Sequence, residues 1–233
     1  MRLFEITTRY NKTLNPAIWS EDGELKPEVS DKLKEIAEEF VEFLEVPELQ
    51  VEDVIVTGSN ASFNWTEQSD IDLHVIVNMD NVRSACEDLA DDYFQDKKTL
   101  WNEHHNITIY DQPVELYVED VKNENISSGK YSLMDDEWVK EPTYNPPEYD
   151  DADVLAKTDQ LKYEIEKVIT SKADKEAVEK LKEKIRNYRK AGLQSKGEWS
   201  VENLAFKELR NTGYLEKLRN YARTERDDQL SLK

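Results

Sequence analysis

TGSNASFNWTEQSDIDLHVIV, residues Thr57 to Val77, decides how the chain is read, because a glycine-serine turn, two alternating aspartates and an apolar strand follow one another in it. From residue 70 to 77 the aliphatics Ile71, Leu73, Val75 and Val77 alternate with the other positions, so Asp70 and Asp72 leave one face of a strand while the aliphatics are buried on the opposite face. Same-face positions lie roughly 6.5 to 7 Å apart at the strand rise, which lets both carboxylates reach a common cation. Two neighbouring anions repel, and their hard oxygens suit Mg²⁺ or Mn²⁺, which would relieve the repulsion. Taken singly, a Gly-Ser pair is a turn and an Asp-x-Asp a solvated edge. Together, after the apolar Val54 to Val56, they read as a metal-dependent nucleotide site.

These residues carry a resemblance. Gly58-Ser59 followed by Ser69-Asp70-Ile71-Asp72-Leu73, with Ser59 and Asp70 eleven positions apart, resembles the signature of the DNA polymerase beta-like nucleotidyltransferase superfamily, its minimal members in particular. The resemblance implies an α+β fold, a mixed sheet flanked by helices. It also implies that Gly58, Ser59 and Ser69 bind the phosphates of an NTP, with ATP one candidate. Asp70 and Asp72 would hold Mg²⁺ or Mn²⁺, and a third carboxylate on a neighbouring strand would complete the metal site and help activate an acceptor hydroxyl. Minimal members often carry small-Arg-Gly after the turn, where this chain has Ala61-Ser62-Phe63, so the resemblance does not extend to substrate specificity. LNPAIW (14–19) and GEWSVENLAFKELR (197–210) further resemble uncharacterised nucleotidyltransferase-like proteins of tailed bacteriophages, which carry no known chemistry.

The third carboxylate has two candidates. Ile107 to Tyr110, a turn at Asp111-Gln112 and Pro113 to Glu119 read as a hairpin whose second arm alternates Val114, Leu116 and Val118 with Glu115, Tyr117 and Glu119. Glu115 is the expected catalytic and metal-binding partner of the aspartates, and Glu119 the alternative. His74 shares their face by parity, but Mg²⁺ and Mn²⁺ prefer oxygen, so it is read as structural. His104-His105 ends a helix, where imidazoles suit the macrodipole. Trp65 is read as packing, with base stacking as the other possibility.

A length of 233 residues permits one large domain or two smaller ones. The net charge of −20, from 51 acidic and 31 basic residues, repels phosphate polyanions, so a protein or small-molecule acceptor is expected rather than a long nucleic acid. Against that excess stands one dense basic cluster, Lys182, Lys184, Arg186, Arg189 and Lys190. Larger members of the superfamily hold the triphosphate with basic residues of a helical domain, and by that resemblance Arg186, Arg189 and Lys190, or else Lys207 and Arg210, are candidates to do so here. A solvated helix face is the bland alternative. The single cysteine, Cys86, excludes an internal disulfide and is read as packing within a helix. No run approaches about 18 apolar residues, and MRLFEITTRY lacks an apolar signal core, so a soluble protein of the cytoplasm is expected, the host's if phage-encoded. Nothing in the sequence fixes an oligomeric state.

Residues 1–26 read as an irregular arm anchored by Leu3, Phe4, Ile6, Leu14, Ile18 and Trp19, and Pro27 opens an amphipathic helix that ends before Pro47. A helix is expected from Asn81 to Glu103, and a short edge strand over Tyr131 to Met134 and Trp138-Val139. This predicts a catalytic domain over 1–140, a proline-rich linker over 141–152 and a helical domain over 153–233. In the last, Ala191-Gly192 is read as a helix stop, Ser200 as an N-cap and Gly213 as a separator. The expected activity is transfer of a nucleoside monophosphate from an NTP to an acceptor hydroxyl. A catalytically silent nucleotide sensor or acidic interaction module retaining the fold is the alternative.

Overall fold

The computed structural model describes Thr7 and residues 10–80, 82, 89–123, 127–145 and 149–231, with the backbone alone for 225–230. Two compact units emerge: Tyr10–Asn145, and the residues from 149 onward together with Thr7. The expectations for Leu3, Phe4, Ile6 and Cys86 lie outside the described residues.

The first unit is built on a six-stranded mixed sheet. Its strands are β1 (Val51–Thr57), β2 (Ile71–Val77), β3 (Thr108–Ile109), β4 (Gln112–Asp120), β5 (Lys130–Ser132) and β6 (Glu137–Lys140), in the order β3-β4-β2-β1-β5-β6. β2 and β4 run parallel, and every other pairing is antiparallel. Helix α1 (Pro27–Leu44) starts at its proline and buries Val29, Leu33, Ile36, Ala37, Phe40 and Leu44, one helical stripe. It packs in one core with Val54 and Val56 of β1, Ile71, Leu73, Val75 and Val77 of β2, and Val114 and Leu116 of β4. Helix α2 (Ala90–His104) adds Phe94 and Trp101, the latter edge-on to Phe40, and the His105 ring packs at a tilt against Trp101. Residues 81 and 83–88 of the expected Asn81–Glu103 helix lie outside the described ones.

Residues 10–26 of the arm belong to this unit, and several of them to its core. Ile18 and Trp19 are buried, and Trp19 stacks on Trp138 at 4.6 Å and meets Tyr131 edge-on at 5.2 Å, tying the arm to the β5-β6 hairpin. That hairpin replaces the single edge strand expected over 131–139. Residues 141–145 cross Tyr10 and Phe63, with Tyr144 packed against both rings.

Two turns differ from the sequence expectation. The β3-β4 connection is Tyr110-Asp111, at φ 48° and 65°, so Gln112 already pairs with Ile109 in the ladder. Two consecutive positive φ angles give the two-residue turn that suits strand twist, despite the tyrosine. In the second unit, helices α3 (Asp151–Thr170), α4 (Lys175–Lys196), α5 (Val201–Asn211) and α6 (Tyr214–Leu230) pack around Leu161, Ile165, Val178, Leu181, Ile185, Ala205, Leu209 and Leu218. Here α4 runs straight through Ala191-Gly192. A Cβ on Gly192 would lie 2.5 Å from both Ser200 Oγ and Glu202 Cβ, so this glycine serves close packing, and Gly197, at φ 72°, ends the helix. Ser200 does cap α5, accepting from Asn203 N at 3.2 Å, and Gly213 separates α5 from α6. No described helix is long and apolar enough to cross a membrane.

Candidate active site

Parallel pairing of β2 with β4 sets the site. Asp72 stands opposite Glu115, His74 opposite Tyr117 and Ile76 opposite Glu119, so the polar positions of both strands share one face. Asp70 lies immediately before β2. Carboxylate oxygens of Asp70, Asp72 and Glu115 all come within 4.8 Å of one another, each residue partly exposed, and they are the one such acidic or histidine cluster among the described residues. The set fits a hard divalent cation, being three oxygen donors from adjacent backbone positions.

Glu119, the other candidate, stands two rows away and accepts from His74 Nδ1 at 2.6 Å. That same contact accounts for His74 structurally. Its ring also stacks on Tyr117 with centroids 4.6 Å apart.

The glycine-serine turn sits directly on the cluster. Gly58 adopts φ 75°, ψ −156°, and a Cβ there would fall 1.8 Å from Asp72 Oδ2, so only hydrogen can occupy that position. Ser59 opens a short 3₁₀ turn, Ser59–Ala61, and its hydroxyl donates to Ser69 Oγ at 2.9 Å. Ser69 is buried and also accepts from Thr66 N at 2.9 Å, so its hydroxyl is engaged in holding Ser59 and the intervening loop.

A buried amide network, which the sequence reading missed, fixes these parts to one another. Asn60 Nδ2 donates to the carbonyl of Asp70 at 2.8 Å, and Asn60 Oδ1 accepts from Asn15 Nδ2 at 2.8 Å. Asn15 Nδ2 also donates to Gln112 Oε1 at 2.9 Å, and Trp19 Nε1 donates to the Asn60 carbonyl at 2.7 Å. All three amide side chains are at most 5% exposed, so each bond is made away from water, where leaving it unmade costs most. The network ties the arm, the glycine-serine turn, the first aspartate and the start of the strand carrying Glu115. LNPAIW thus contributes an asparagine and an indole that brace the site. In the sequence, Asn15-Pro16 signals only a break.

Around Glu115 stand two further side chains. Tyr117 Oη donates to Glu115 Oε2 at 2.7 Å, and burial, then the Asp72 and Glu115 charges, push the phenol far above its usual range, so it stays a donor. Lys98 reaches from α2 to place Nζ 4.0 Å from the centre of the Tyr117 ring. Burial lowers its pKa, while Glu115 and Asp72 oppose that lowering.

The basic sequence candidates lie in the second unit. Arg186, Arg189 and Lys190 are exposed on α4; Arg189 Nε donates to Asn203 Oδ1 at 3.1 Å and the guanidinium covers Phe206 at 4.4 Å. Lys182 pairs with Glu179, and Lys184 with Glu164. In the first unit, Trp65 is half-buried and its Nε1 donates to the Thr13 carbonyl at 2.9 Å.

Residues 33–135 match the family model described as nucleotidyltransferase domain, a stretch that holds the turn and all three carboxylates. No curated protein matches the chain. Among solved structures, a STING-associated CdnE c-di-GMP synthase from Capnocytophaga granulosa is similar at 15% identity over 88% of this chain and 83% of that one, with a TM-score of 0.23, too low to carry an argument.

Proposed function

We propose, from the match of residues 33–135 to the nucleotidyltransferase domain model, a metal-dependent enzyme that moves a nucleoside monophosphate from an NTP to an acceptor hydroxyl and releases pyrophosphate. The observation that carries the reading is the convergence of Asp70, Asp72 and Glu115 within 4.8 Å. These carboxylates would hold Mg²⁺ or Mn²⁺, which when bound neutralises charge on the transferring phosphoryl group. An acceptor oxygen bonds to the α-phosphorus as the bond to the pyrophosphate oxygen breaks, and Glu115 takes part in removing the acceptor proton.

Gly58 and Ser59 are the proposed phosphate contacts, the glycine because its lack of a side chain lets the turn backbone lie directly against Asp72. Ser69 acts on the nucleotide through the Ser59 hydroxyl it accepts from. Arg186, Arg189 and Lys190 are proposed as triphosphate-holding cations, with ATP one candidate donor. The acceptor is proposed to be a protein or small molecule, because a net charge of −20 opposes a long nucleic acid.

The test is incubation with each α-³²P-labelled NTP, Mg²⁺ or Mn²⁺, and cell extract, followed by identification of the labelled product. Transfer that needs the metal and disappears in Asp70→Asn and Asp72→Asn is expected. Absence of metal-dependent transfer with all four NTPs, or full activity in the double variant, refutes the proposal and favours a silent nucleotide-binding module.

A further inference from the structure

Glu115 has a built support on the face of the sheet it shares with Asp72. Its Oε2 accepts the Tyr117 hydroxyl at 2.7 Å, which leaves the carboxylate one preferred orientation within the cluster. The Tyr117 ring is itself restrained: His74, anchored by Glu119 at 2.6 Å, stacks on it with planes 18° apart. From α2, Lys98 places its ammonium 4.0 Å from the ring centre. That reach is set one helical turn further on. Asn102 accepts from Leu116 N and donates to Leu116 O, both at 3.0 Å, which docks α2 along β4 as an added strand would.

Resting on the metal-binding reading of the carboxylates, we propose that Tyr117 and Lys98 are positioning residues that set the cation affinity of the cluster in opposite senses. Tyr117 raises it by holding Glu115 in place for coordination. Lys98 lowers it, because its ammonium, held over the ring whose hydroxyl binds Glu115, offsets negative charge that a divalent cation would otherwise meet in full. The cluster is thereby kept ordered and partly neutralised before metal arrives, and binding remains reversible. Both residues act through Glu115 and Asp72, not on the reacting atoms.

The opposition in sign separates this from a packing role, in which loss of either side chain would loosen the cluster and weaken binding alike. The experiment titrates the full chain with Mn²⁺ alone and reads free Mn²⁺ by electron paramagnetic resonance, with thermal unfolding followed in parallel. Tyr117→Phe keeps the stack and the cation contact but not the hydroxyl, and should bind Mn²⁺ about tenfold more weakly at unchanged thermal stability, in the range typical of residues that support a metal ligand. Lys98→Met keeps the aliphatic stem and should bind Mn²⁺ roughly threefold more tightly, while Lys98→Arg should restore the wild-type value. The Asp70→Asn, Asp72→Asn double variant serves as reference, since loss of Mn²⁺ binding there identifies the site being titrated. Wild-type affinity in Tyr117→Phe, or weakened binding in both Tyr117→Phe and Lys98→Met, overturns the inference while leaving the metal site standing. Equal binding by wild type and the double aspartate variant overturns both.

Discussion

Gly58→Ala tests the join between the turn and the carboxylates most directly. The glycine sits at φ 75°, ψ −156°, a region essentially closed to residues with a Cβ, and holding alanine there costs about 1–3 kcal/mol. The new Cβ would also lie 1.8 Å from Asp72 Oδ2 and 2.8 Å from its Cγ, so the Asp72 side chain must swing away or the turn must lift. Forcing atoms into a packed site costs about 1–3 kcal/mol more. The unfolded chain gives back about 0.4–1 kcal/mol, because alanine has less freedom to lose than glycine. The net is a destabilisation of about 2–5 kcal/mol. It is measured by urea unfolding followed through tryptophan fluorescence, with Trp19, Trp65, Trp101 and Trp138 all in the unit concerned. The collision is isolated by a double-mutant cycle with Asp72→Ala: without the carboxylate, Gly58→Ala should cost only the backbone portion, giving a coupling of about 1–3 kcal/mol. Additive costs, or a Gly58→Ala protein with wild-type stability and metal affinity, refute the argument that this glycine is required by contact with Asp72.

Asn60→Ala should destabilise by about 1–3 kcal/mol, since it takes one buried partner from the amide of Asn15 and one from the carbonyl of Asp70, and urea titration checks it. Glu115→Gln should lower the transfer rate more than nucleotide affinity, whereas Glu119→Gln should leave the rate near wild type; the reverse order would move the third carboxylate to Glu119. Tyr131, buried and donating to Asp136, is pushed up to about 12, first by burial and then by the Asp136 charge. The unfolded chain therefore releases this proton first, near pH 10, and stability should fall between pH 10 and 12; Tyr131→Phe should remove part of that fall in urea titrations at pH 9 and 11. Filter binding of single-stranded RNA, tRNA and duplex DNA at low salt should show only weak retention, and tight, steeply salt-dependent binding abolished by Arg186→Ala with Arg189→Ala would promote an RNA acceptor.

Where the sequence was legible, one periodicity dominated the local structure. The alternation through Ile71, Leu73, Val75 and Val77 announces β2 and its faces, and the 3.6-residue stripe from Val29 to Leu44 announces α1, because each pattern is enforced by burial on one side. Where it was not, a single residue type had two uses. Gly192 looks like a helix stop, yet in α4 it is the point where α5 comes close enough to exclude a side chain. Tyr110 is a poor turn residue by propensity, and the pairing on either side overrides that preference, moving the turn one residue earlier than Asp111-Gln112.

That displaced turn matters less than it first suggests, and the reason bears on how site residues are found. The parity of β4 is carried by Val114, Leu116 and Val118, whose burial on α1's side of the sheet does not depend on where the hairpin turns. Glu115 therefore faces the aspartates under either turn. Choosing between Glu115 and Glu119 needed something else, the stagger of two strands that are parallel and far apart in sequence, and no local pattern encodes it. The structure places Asp72 opposite Glu115 and gives Glu119 to His74. The same limit hid Asn15, Asn60 and Gln112: three amides separated by 45 and 52 residues look like loop residues until the fold buries them against one another. Their isolation from water makes them consequential, because a buried amide must find its partners in the protein, and these partners are the backbone of Asp70 and the two segments that flank it in space. A sequence can thus display the residues that meet a ligand, whose chemistry restricts their type. The residues that hold them are restricted only by a three-dimensional neighbourhood, and become visible once that neighbourhood is known.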